Sequence, residues 1–312
     1  MGSVNGKSKA AFFSNPMGVA ADNLGNIFVA DSRNNMIRKI SPEGMVTTLA
    51  GTGAAGSVDG RGDTATFFFP EGVAVDNNGN VFVADTHNSL IRKISPDGFV
   101  TTLAGQRIYH TIPGRDTSVR FDNPSGIAAD RKGNVYVADW ANNLIRKISP
   151  GGIVSNIAGN GDRGAKDSSV SFASFYLPGA ITLDSTGNLY VADTYNNMIR
   201  KISPEGFVST IAGKTVRGSA NGKGVAASFS HPAGIVVDKE GNIYISDMEN
   251  NKIRKISPDG MVTDFAGSGL RGSANGRDTV ASFYRPYGLT IGKNGNILVA
   301  DCLNNQIRQI SF

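Results

Sequence analysis

Apolar residues fall in short runs along this chain, each closed by Gly, Asn, Asp or Pro. Between residues 72 and 104 the runs Gly72 to Asp76, Asn80 to Ala84, Leu90 to Ser95 and Phe99 to Ala104 read as four strands. Val81, Phe82, Val83 and Ala84 are apolar without alternation, the pattern of a strand covered on both faces. Asp76-Asn77-Asn78-Gly79 places glycine where a tight hairpin needs positive φ. Ser95-Pro96-Asp97-Gly98 has Pro and Gly at type I turn positions. Four strands joined by hairpins form a meander, and one such sheet cannot bury both faces alone.

The same pattern recurs. Asp-x-x-Asn-x-x-Ile-Arg begins at Asp31, Asp85, Asp139, Asp193, Asp247 and Asp301, each start 54 residues after the last. Phe-x-x-Pro begins at Phe13, Phe67, Phe121, Phe175, Phe229 and Phe283, and Gly-Asn keeps the same spacing from Gly25 to Gly295. No insertion separates the copies and composition shows no linker, so residues 1–312 are expected to be one domain. Six meanders covering one another around an axis predict an all-β fold, a six-bladed β-propeller of four-stranded antiparallel blades.

The stretch Phe67 to Ile94 (Phe-x-x-Pro-x-Gly-Val-Ala-Val-Asp-x-x-Gly-Asn-Val-Phe-Val-Ala-Asp-x-x-Asn-x-x-Ile-Arg-Lys-Ile) resembles the NHL repeat. The likeness extends to all six copies and implies a six-bladed NHL propeller. It implies less about activity, because that family includes RNA binders, protein-binding modules and lyase relatives.

Six full repeats of 54 would need 324 residues against 312, so 12 are lacking. The lacking piece corresponds to Glu43 to Ala54, which holds a blade's fourth strand, while Met1 to Ala11 aligns with the loop after it. The expectation is 23 strands, with the last blade missing its outer strand and an open edge at Asn305 to Phe312. Such an edge invites pairing with a strand of another chain.

Charge sharpens the picture in one place. Six Arg and five Lys repeat with the copies, and eleven Asp repeat with them, so these sets cancel. Their repetition reads as turn capping and blade pairing; a ring of six Asp around the axis as a cation site is the sharper alternative. The net charge of +5 therefore lies at variable positions. The long inter-blade connections, such as 51–66 and 105–120, together with residues 1–12 hold 13 basic and 6 acidic residues, a balance of +7. A basic crown of Gly-rich loops is expected on one face, and loops on a rigid scaffold carry recognition. Gly56-Ser57-Val58-Asp59-Gly60 resembles Gly218-Ser219-Ala220-Asn221-Gly222, which suggests an ordered loop packed on its own blade. Only the loop containing Tyr109 and His110 departs. The residues after each repeated Asp vary and face the same side, mixing Trp, Tyr and Met with charges as interfaces do. The candidate binding set is Arg33, His87, Tyr109, His110, Trp140, Arg163, Tyr195, Arg217, Glu249 and Arg271.

Tests for chemistry turn up little. The three histidines, His87, His110 and His231, occupy non-equivalent positions, and no nucleophile elbow or Ser-His-Asp order appears. Cys302 is the one cysteine, which excludes an internal disulfide. No cofactor and no metal site are expected. The lyase relatives implied by the resemblance hold zinc with histidines near the axis, a set not visible here. No run has the length of a membrane helix and nothing at the N-terminus has signal-peptide form, so a soluble protein of open location is expected. The expected function is a non-catalytic scaffold recognising a protein or peptide on the basic loop face. Alternatives are an RNA-binding propeller using that face, a metal-dependent lyase-like or hydrolase-like propeller, a carbohydrate binder, or an engineered, reconstructed or recently amplified repeat protein without a ligand.

Overall fold

Asp76 accepts hydrogen bonds from the N–H groups of Asn78 and Asn80 (2.9 Å each) and from Nδ2 of Asn80 (2.8 Å), closing a hairpin in which Gly79 has φ +78°. The side chain thus imitates a backbone turn, which is why Asp precedes Gly-Asn in five of the six repeats. The computed structural model describes residues 2–106 and 119–311. Within it six small antiparallel sheets form a ring of six blades. Blade 2 runs outward from the axis through Gly72–Val75, Val81–Asp85, Leu90–Ile94 and Phe99–Ala104. Val81 to Ala84 are all buried, as a strand sandwiched between two blades requires.

Blade 6 has three strands, Pro286–Ile291, Ile297–Asp301 and Gln306–Ile310, and no further strand pairs with the last among the described residues. The ring closes by packing. Each apolar layer lies between two neighbouring blades, and Phe13, Val19, Val29 and Val46 with Leu298 and Ala300 join blade 1 to blade 6. Polar stitches reinforce the layers: Asn35 Oδ1 accepts from the N–H of Phe69 (2.9 Å), and Asn305 Oδ1 from Asn15 across the closure (2.8 Å).

Four two-residue strands were not expected: Gly6–Lys7, Gly60–Arg61, Ser168–Ser169 and Gly222–Lys223. Each pairs with the outer strand of the blade that its loop leads into, making blades 1, 2, 4 and 5 five-stranded. The loops leading into blades 1, 2, 4 and 5 therefore do not stay on one face as the expected crown. They start on the upper face, where Gly56 accepts from Asn88 Nδ2 (2.6 Å), then descend the outer edge of the following blade. Asp59 explains the descent. It accepts from Nη2 of Arg92 (2.8 Å) and from the N–H and hydroxyl of Thr102 (3.0 and 2.9 Å), clamping the loop to the third and outer strands. Lys7, Arg61 and Lys223 end beside Glu43, Asp97 and Asp259 of the outer hairpins. The loop charge is thus divided between the upper face and the lower rim.

Candidate functional site

The repeated Asp and Arg are structural. Asp85 accepts from the N–H of Phe68 (2.8 Å), Nδ2 of Asn88 (2.8 Å) and Nη1 of Arg92 (2.7 Å), and neither side chain of the ion pair is exposed. Arg92 also lies over the buried Phe67 ring, 5.1 Å from its centroid. Burial outweighs these partners and lifts Asp85 to about 6. All six aspartates sit in this arrangement with an arginine of their own blade, so they do not line the axis as a cation ring.

That hub fixes the short 3-10 turn that follows each second strand, such as Thr86–Asn88, closed by a left-handed residue, here Ser89. The second residue of every turn donates its N–H to the residue after the repeated Phe: His87 to Phe68 and Tyr195 to Tyr176, both at 3.1 Å. Variable side chains are thereby held on rigid backbone at the upper mouth of the axis.

A second set of variable positions lies deeper. The residue between Pro and Gly in Phe-x-x-Pro-x-Gly is Met17, Glu71, Ser125, Ala233 or Tyr287, and Gly179 stands there in blade 4. All six line the axial passage. They reach it because the inner strands crowd together: a Cβ on Gly234 would stand 2.1 Å from the carbonyl oxygen of Tyr287. Glu71 Oε2 accepts from the hydroxyls of Ser125 (2.7 Å) and Tyr287 (3.3 Å), narrowing one side of the passage. Gly179 and Ala233 leave the other side open.

Above this gap is a cavity of about 380 Å³. Glu71, Tyr287, Gly179 and Ala233 form its floor, and His87, Trp140, Tyr195 and Met248 form its walls. The rings touch in sequence. Trp140 meets Tyr195 edge-on at 6.0 Å, and Tyr195 lies 5.4 Å from Tyr176 and 4.7 Å from the His231 ring. His87 stacks on Phe69 at 4.7 Å. Burial, reinforced by Arg217, holds the His231 imidazole below its usual pKa, and Arg217 Nη2 donates to its Nε2 (2.9 Å). Burial pushes the Cys302 thiol up to about 12, leaving it a poor nucleophile.

The candidates from the sequence divide accordingly. His87, Trp140 and Tyr195 come together in the cavity. Arg163 lies over Tyr176 (5.4 Å), Arg217 holds His231, and Glu249 pairs with Arg285, all next to that wall. Arg271 lies over Tyr284 in blade 6 and Arg33 is exposed on blade 1, both apart from the cavity lining. Tyr109 and His110 fall outside the described residues. Glu71, Ser125, Tyr287, Tyr176 and His231 were missed as site residues, although variability inside an otherwise fixed motif was a readable signal for all five. Among the described residues no three His, Cys, Asp or Glu side chains converge as metal ligands.

Residues 13–40, 67–94, 121–148, 175–202 and 229–256 match the family model of the NHL repeat. The chain is an NHL-repeat propeller. The sixth NHL copy lies outside those segments and forms a blade nonetheless, with Gly292 and Gln309 at positions held elsewhere by Asp and Lys. The chain is similar to NHL repeat-containing protein 2 of Homo sapiens, 30% identical over 321 residues covering 90% of this chain and 44% of that protein. The Bos taurus protein of the same name is 29% identical over 95% of this chain and 46% of its own length. The chain thus spans about half the length of the curated relatives it matches. Among solved structures, a Bacteroides thetaiotaomicron protein of unknown function has a TM-score of 0.76 at 20% identity, covering 99% of this chain and 72% of that one. Virginiamycin B lyase of Staphylococcus aureus has a TM-score of 0.58 at 18% identity, covering 99% and 87%. Identities this low show a shared propeller fold alone. No helix among the described residues is long and apolar enough to cross a membrane.

Proposed function

We propose that this NHL propeller is a non-catalytic recognition module that binds a peptide segment of a protein partner across its upper face, residues 1–312 acting as one domain. The observation that carries this reading is the run of touching rings, His87 apart, from Trp140 through Tyr195 to Tyr176 and His231, beside an open axial cavity. Rigid aromatic side chains on a fixed backbone supply contact area at small entropic cost, and binding energy concentrates in such anchors. Arg163 and Arg217 flank the run and offer donors to an acidic or carbonyl-rich stretch of the partner. The open edge of Gln306–Ile310 is a separate place for an added strand.

The RNA reading loses ground because loop cations are split between the upper face and the lower rim. The test is selection of a displayed random-peptide library on the intact protein, followed by affinity measurement on a Trp140→Ala/Tyr195→Ala double variant. The expected result is peptides whose affinity falls about tenfold or more in the variant with the fold retained. Equal affinity for both proteins would overturn the reading.

A further inference from the structure

Among the described residues, burial raises seven carboxyl groups above their usual range: the six repeated aspartates and Glu71. Each aspartate has an arginine at 2.9 Å or less. Among the described residues Glu71 has two hydroxyls and no cation. A carboxylate placed this deep without a counter-charge is costly, and the fold supplies one everywhere else. Glu71 also keeps accessible surface and lines the cavity.

The rest of the cavity fits the missing partner. Its walls are the faces and edges of Trp140, Tyr195 and His87 with the thioether of Met248, and no lysine or arginine lines it among the described residues. The Thr86 and Thr194 hydroxyls are committed to the carbonyls of Pro124 and Pro232 (2.8 Å each), and those of Ser125 and Tyr287 to Glu71. The floor therefore offers the Glu71 carboxylate as an acceptor. An ammonium or guanidinium group donates without accepting and is attracted to aromatic faces.

We infer that the axial cavity, with Glu71 at its floor and Trp140 and Tyr195 in its walls, is a receptor for an organic cation, an alkylammonium or guanidinium group. Glu71 pairs with the charge and the rings pack against the alkyl stem. This deepens the peptide reading, which it rests on for the source of the cation: a Lys or Arg side chain of the bound segment. A free amine carries the same chemistry, and the experiment separates the two.

Trp140 is the chain's single tryptophan, so its fluorescence reports the cavity directly. The probes are N-acetyl-lysine methylamide, N-acetyl-arginine methylamide and tetramethylammonium, with N-acetyl-norleucine methylamide as the neutral isostere, each titrated into the intact protein. The cationic probes are expected to bind about tenfold or more tightly than the isostere. Glu71→Gln should erase that preference and Tyr195→Leu should weaken the cations about three- to tenfold. Equal binding of the isostere, no cation binding, or an unchanged preference in Glu71→Gln would overturn the inference. A lysine-containing pentapeptide binding tighter than the lysine amide assigns the cation to a peptide, and equal or weaker binding assigns it to a free amine. Selected peptides lacking Lys and Arg would sink this inference and leave the peptide reading standing, whereas cation binding without any selected peptide would do the reverse.

Discussion

Ser125 Oγ donates to Oε2 of Glu71 at 2.7 Å, although the two residues occupy the same position of successive repeats, 54 residues apart. Rotation by one blade brings equivalent positions together at the axis, so a column that looks merely variable along the chain becomes a set of contacting neighbours. Met17, Glu71, Ser125, Gly179, Ala233 and Tyr287 share that column, and their different sizes make the passage lopsided. The cavity exists because the six copies differ there.

Glu71 should cost the protein stability. Its folded pKa is raised by burial, so between the ordinary carboxylate value and the raised one the folded state holds a proton that the unfolded state has released. Stability from this group is present at low pH and lost as pH rises through the folded pKa. Glu71→Gln keeps an acceptor for Ser125 and Tyr287 and has no such loss. Its Tm should match the parent's near pH ~4 and exceed it by a few degrees near pH ~8. Calorimetry showing a difference independent of pH would contradict this.

One stitch between blades is missing. Asn occupies the left-handed position that closes the turn in blades 1, 3, 4, 5 and 6, and its Oδ1 bonds the next blade, whereas Ser89 holds that position in blade 2 at φ +57°. Asn tolerates this conformation better and would reach the N–H of Asn123. Ser89→Asn is expected to stabilise the protein by about 1 kcal/mol in urea unfolding.

The crowding at the axis makes an opposite prediction for Gly234. An added methyl meets the Tyr287 carbonyl oxygen at 2.1 Å and the Ser246 hydroxyl at 2.8 Å, and the first of these is backbone that cannot swing aside. Gly234→Ala should destabilise by about 1–3 kcal/mol and widen or tilt the inner strands, visible as changed Trp140 fluorescence. Unaltered stability and emission would mean that the inner strands are less tightly set than this.

The two kinds of repeated aspartate should respond differently to truncation. Asp85→Ala removes the fully buried counter-charge of Arg92, leaving it only the partly exposed Asp59, and is expected to cost about 3–5 kcal/mol. Asp76→Ala removes one partly exposed turn and should cost about 1 kcal/mol. Similar losses at both sites, read from urea midpoints, would contradict the distinction between hub and hairpin.

The sequence by itself determined the ring. A 54-residue period with fixed hairpin chemistry admits one way to bury every sheet face, and the 12 lacking residues located the three-stranded blade, because both are local or arithmetic properties of the chain. It also placed His87, Trp140 and Tyr195 on one face, since turn positions alternate predictably around a meander. Only the tertiary structure decided where the loops go: Asp59 directs its charge to Arg92 across 33 residues, a pairing no local pattern contains, and its loop is drawn down the blade edge as a result. It alone brought Glu71, Ser125 and Tyr287 into contact, the last two separated by 162 residues. The physical reason is the closure of the ring. Repetition fixes what each blade is, while the meeting of six unlike residues at a common axis depends on all six blades being in place.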